Sequence, residues 1–68
     1  MRGRMIQVSG NHREDAVMYA VAEDDAQRAM EIVRTRVATD GQYLVDLGRV
    51  SADLIETLKL APGQWKKV

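Results

Sequence analysis

Three features of the sequence predict a small α+β domain ordered strand, strand, helix, strand, helix. The stretch Glu23 to Gly41 carries apolar residues at helical spacing between a start signal and a stop signal. Three other stretches, Met5–Ser9, Ala16–Ala22 and Gln42–Leu47, run or alternate in apolar character over strand lengths. Turn-forming pairs, Gly10-Asn11, Asp40-Gly41 and Pro62-Gly63, separate the elements. The expected architecture is a three-stranded mixed sheet packed on one long helix (about 24–38), with a second short helix (about 52–60).

Each element has its own justification. Met1–Arg4 reads as a frayed leader. Ile6 and Val8 alternate with Gln7 and Ser9, as in a half-buried strand. Gly10 to Asp15 is polar and opens with two residues that tolerate positive φ, which suits a hairpin loop. In Ala16–Ala22, Val17, Tyr19 and Val21 fall on one face and Ala16, Met18, Ala20 and Ala22 on the other. Both faces are apolar, which suits a central strand, although alanine's helix propensity leaves a helix over 16–22 as an alternative. The capping-box spacing Asp24…Gln27 then starts the long helix. Ala26, Ala29, Met30, Val33 and Val37 form its apolar stripe, widened by Ile32. Arg34 and Arg36 sit in the last turns, where the helix dipole favours cations, and Gly41 offers the left-handed stop. Tyr43, Val45 and Leu47 share one face of the third strand. Ser51 is a good N-cap for the second helix, whose inner side is Leu54, Ile55 and Leu58. The simplest sheet places the first strand centrally, antiparallel to the second and third, and the crossover through the long helix joins two parallel strands.

The whole chain is expected to form a single domain, residues 1–68, with 1–4 and 64–68 as flexible or loosely packed ends, the latter alternatively an extended segment that packs Trp65 back on the core. A domain of this size buries only roughly 60% of the surface its unfolded chain exposes, and its core supplies about 3–5 kcal/mol net. There is no cysteine, so neither a disulfide nor a thiolate metal site braces it. Helix–sheet packing and self-association remain. One long and one short helix hardly cover both faces of even a small sheet, so an open face or edge is expected to pair with a second copy.

Charge excludes a polybasic protein: ten basic residues balance ten acidic ones. No apolar run reaches the roughly 20 residues of a membrane-spanning helix, and no apolar stretch of signal-peptide type follows the basic Met1–Arg4. The expectation is a cytoplasmic protein without a membrane partner.

No catalytic or cofactor constellation emerges. The single histidine, His12, stands beside Glu14 and Asp15 in a loop, without a second His or Cys at ligand spacing. Glu23, Asp24 and Asp25 are adjacent carboxylates that diverge and are accounted for by helix capping. Ser9-Gly10-Asn11 and Gly48-Arg49-Val50-Ser51 hold too little glycine for a phosphate cradle. No catalytic, cofactor or metal residue is therefore assigned. Two surfaces stand out instead. Val17, Tyr19 and Val21, with Trp65, are the expected partner surface of a non-catalytic, self-associating protein-interaction domain, in the form of a homodimer. The alternative is a nucleic-acid-binding module using Arg28, Arg34 and Arg49 with Lys66 and Lys67.

One local motif has a family likeness. Gly48-Arg49-Val50, followed by Leu54-Ile55-Glu56-Thr57-Leu58-Lys59-Leu60-Ala61-Pro62-Gly63, resembles the helix-and-turn part of AbrB-type swapped-hairpin DNA-binding domains. That pattern has two further residues, one a proline, between the Gly-Arg-Val and the helix. The likeness excludes the long helix, and no binding residue is carried over from it.

Overall fold

The computed structural model of the chain describes residues 2–10, 16–38 and 41–68. Its elements are β1 (Gly3–Ser9), β2 (Val17–Val21), α1 (Ala26–Arg36), β3 (Tyr43–Val50), α2 (Ala52–Thr57) and β4 (Trp65–Lys67). The class is the expected α+β, and within the stretch 16–22 residues Val17–Val21 form a strand rather than a helix. The expected three-stranded mixed sheet is instead four-stranded, in the order β3-β1-β2-β4, and every neighbouring pair is antiparallel. β1 is central between β2 and β3, so β2 and β3 run parallel to each other across it, joined by α1.

Directly opposed residues of antiparallel strands share a sheet face. One face therefore holds Ile6 with Tyr19 and Asp46, and Val8 with Val17 and Leu44. Val21 and Trp65 oppose each other on the same side. α1 lies over this face. Ile6, Val8, Val21, Ala29 and Val33 form the buried cluster, with Tyr19, Met30, Ile32, Leu44 and Trp65 packed around it. Ile6, Val21 and Val33 are fully buried, and each contributes on the order of 1.5–3 kcal/mol relative to exposure.

α1 is shorter than expected at both ends. Its N-cap is Asp25, not Asp24: the Asp25 carboxylate accepts from the Arg28 backbone N–H at 3.1 Å. Glu23 in turn accepts from the Asp25 N–H at 3.2 Å. The helix ends at Arg36; Val37 N–H keeps the i→i−4 bond to the Val33 carbonyl, and Ala38 N–H donates to the same carbonyl, an i→i−5 bond that leaves the α-helical ladder. Gly41 does take a left-handed φ of 87°, but in the turn into β3 rather than as the helix cap.

Gln64–Val68, expected to be a loose end, is tied into the sheet. Ala61-Pro62-Gly63-Gln64 closes a turn through Gln64 N–H to Ala61 O at 2.9 Å, with Gly63 at φ 82°, the type II arrangement that Pro-Gly favours. Gly63 N–H donates to Ala22 O and Ala22 N–H to Gln64 O, which lays the turn on the end of β2. β4 continues that pairing, and Val68 N–H donates to Met18 O. At the other end, Gly3 and Arg4, also expected to be loose, begin β1.

α2 begins as expected at Ser51, whose hydroxyl accepts from Leu54 N–H. It stops at Thr57 rather than residue 60. Lys59 N–H donates to Glu56 O and Leu60 N–H to Ile55 O, the double bond of a Schellman motif. Lys59 occupies the left-handed position, φ 57°, that glycine usually fills. Ile55 is buried outside the α1 cluster, against Gly3: a Cβ on Gly3 would stand 2.6 Å from Ile55 Cδ1. Gly3 shares the parity of Met5, so α2 closes one end of the sheet face opposite α1.

Candidate interaction surface

Among the described residues, the face opposite α1 is covered only at that end. Register assigns to it Met5 and Gln7 from β1, Met18 and Ala20 from β2, Tyr43 and Val45 from β3, and Lys66 from β4. Val68 follows Lys66 by strand alternation. Leu47 is added by a bulge. Met5 opposes Gly48 while Ile6 opposes Asp46, so β3 carries one extra residue there. Alternation from Asp46 leaves Leu47 on the open side with Val45 and Tyr43.

The bulge is built from named contacts. Gly48 adopts φ 113°, a conformation that disfavours a side chain. Its N–H donates to Asp46 Oδ1 at 2.9 Å, while Asp46 Oδ2 accepts from Arg4 Nη1 at 3.0 Å. Arg4 Nε also donates to the Asp24 carbonyl, and Arg49 pairs with the Asp24 carboxylate at 3.5 Å. The charges at this end of the sheet are thus turned toward the helix side and toward each other. The open face keeps the apolar residues: Met18, Tyr43, Val45, Leu47 and Val68 are 45–64% exposed.

Val17, Tyr19, Val21 and Trp65 all sit on the helix side. Val21 is fully buried and unreachable by a partner, and Tyr19 and Trp65 pack against the core. They are brought together, as an apolar group on one face, but beneath and beside α1. Alternation shows which residues of β2 share a face. It does not show which face the helix takes when both are apolar. The signal for the open side was in β3: Tyr43, Val45 and Leu47 are large, apolar and in phase with Met18.

The basic residues do not converge. Arg34 pairs with Glu31 at 3.7 Å and Arg49 with Asp24. Lys66 opposes Ala20 and Lys67 opposes Tyr19, so the two lysines point to opposite faces. Arg28 lies on the outer side of α1, by a surface hollow that also touches Glu23, Glu31 and Trp65. His12, Glu14 and Asp15 fall outside the described residues. Among the described residues no group of three or more His, Asp or Glu side chains is placed to hold a metal ion. No helix among them is long and apolar enough to cross a membrane. No protein-family model matches the chain, and no curated protein or solved structure is significantly similar to it.

Proposed function

We propose that this chain is a small non-catalytic protein-interaction domain of the cytoplasm that acts by self-association, as a homodimer, through the part of the sheet that α1 leaves uncovered, its open face or the β3 edge that borders it. The observation that supports this reading is the row of exposed large apolar side chains, Met18, Tyr43, Val45, Leu47 and Val68, on one side of the sheet. A small domain with a thin core gains from setting such residues against those of a second copy. Sedimentation equilibrium at micromolar concentration is expected to give twice the 7.6 kDa chain mass. A monomer mass throughout the accessible range would overturn the reading.

The alternative, nucleic-acid binding, has weaker support, because Arg34 and Arg49 are paired with acids and Lys66 and Lys67 diverge.

A further inference from the structure

The sheet has two edges, and they differ. β4 is three residues long and two of them are lysines, features that discourage another strand from adding. β3 is eight residues long and contains no lysine or proline. Among the described residues it pairs with β1 on one side and with no strand on the other. Its outer backbone groups form a template for a further strand. Resting on the self-association reading above, we propose that the occupant is a second copy of this chain, with β3 pairing antiparallel to β3 of that copy about a two-fold axis through Val45.

The register follows from charge and side-chain chemistry. An antiparallel pairing of identical edges uses a two-fold axis perpendicular to the sheet, which keeps like faces on the same side and makes the contact isologous. With Val45 on the axis, it faces Val45 of the second copy, and Tyr43 faces Leu47 twice. These are apolar cross-strand pairs on the open face. Asp46 faces Leu44, so no like charges oppose. Moving the axis to Asp46 would set two carboxylates against each other, and moving it to Leu47 would set Val45 against Arg49. Asp46 is already held by Arg4, and Arg49 by Asp24, on the helix side of the sheet. The edge is thereby free of unpaired charge where the pairing occurs. The product is one eight-stranded sheet with both α1 helices on the same face and the two apolar rows joined on the other.

The test is a charge swap at the axis. Val45 is exposed on the face away from the core, so Val45→Glu and Val45→Lys keep the fold, which far-UV circular dichroism verifies. Each variant alone sets like charges side by side, and its dimer dissociation constant is expected to rise about tenfold or more. Mixing the two is expected to restore a dimer containing one of each. In the wild-type protein, the outward amides within Tyr43–Leu47 are expected to exchange with deuterium more slowly as concentration rises. A wild-type dimer that both variants form with unchanged affinity, or one whose β3 amides exchange at the monomer rate, would overturn the β3 pairing while leaving self-association intact. A wild-type monomer would overturn both, and would leave the β3 edge to a strand from a different protein.

Discussion

The two faces of the sheet are built from similar residues and end in different states. Under α1, Ile6, Val8 and Val21 meet Ala29 and Val33 and lose nearly all contact with water. On the other side, Met18, Val45 and Val68 come from the same strands or their neighbours and keep about half their surface. Composition does not separate them. The difference lies in which helix each face receives. α1 has eleven residues and spans its face, whereas α2 has six and reaches only the end near Gly3. Burial in a domain this small is limited by helix length. The face left over keeps the exposed apolar residues, while Arg4, Asp46 and Arg49 beside it are turned to the helix side.

If the faces differ in this way, equal truncations should have unequal effects. Ile6→Ala removes a fully buried side chain and leaves a cavity under α1, at a cost of about 2–5 kcal/mol. A core of this size rarely supplies more than about 3–5 kcal/mol, so urea denaturation is expected to find this variant close to the edge of unfolding. Comparable losses for Ile6→Ala and for Met18→Ala on the open face would remove the distinction between the faces. The expected shift for Met18→Ala, measured on the monomer, is less than about 0.5 kcal/mol.

Among the described residues, the second face is packed at the end closed by α2, and Gly3 reports on it. A Cβ there would overlap the Val21 carbonyl oxygen and lie 2.6 Å from Ile55 Cδ1. The first contact is with backbone, which cannot rotate aside. Gly3→Ala is expected to destabilise by about 1–3 kcal/mol, the range for overpacking. Hydrogen exchange should show the loss concentrated in β1, β2 and α2. A Gly3→Ala variant as stable as the parent would mean that β1, β2 and α2 are not packed at this end as closely as their contacts with Gly3 imply.

How much of this was legible beforehand depended on the range of the interaction concerned. Local signals read correctly: the stripe of α1, the Ser51 cap, the central place of β1, and the shared face of Tyr43, Val45 and Leu47. The α1 cap lies one residue later than expected because Asp24 and Asp25 both suit that position. Asp25 takes it while Asp24 pairs with Arg49, a residue distant in sequence. β4 was missed because Trp-Lys-Lys has no alternation to read. Its pairing depends on the Pro62-Gly63 turn docking on Ala22, and only the turn half of that is local. That Val17, Tyr19 and Val21 lie under α1 is not legible for a related reason. An apolar strand announces burial on both sides, and which side the helix covers is settled by packing between elements.

The end of α2 offers the smallest effect and the finest test of the face it closes. Lys59 holds a left-handed conformation at φ 57°, with both hydrogen bonds of the Schellman motif formed around it. A residue with a Cβ is disfavoured there by about 1 kcal/mol relative to glycine, whose conformational freedom in the unfolded chain offsets part of the gain. Lys59→Gly is therefore expected to raise stability by about 0.5 kcal/mol, seen as a small upward shift in the urea midpoint with an unchanged slope. The sign of the shift is decisive. A gain means that the left-handed turn is the native end of α2, and that Ile55 is delivered to Gly3 by a helix stopped at Thr57. A loss would mean that α2 runs on toward residue 60 in solution. It would then cover more of the second face, and the apolar surface left for a partner would shrink accordingly.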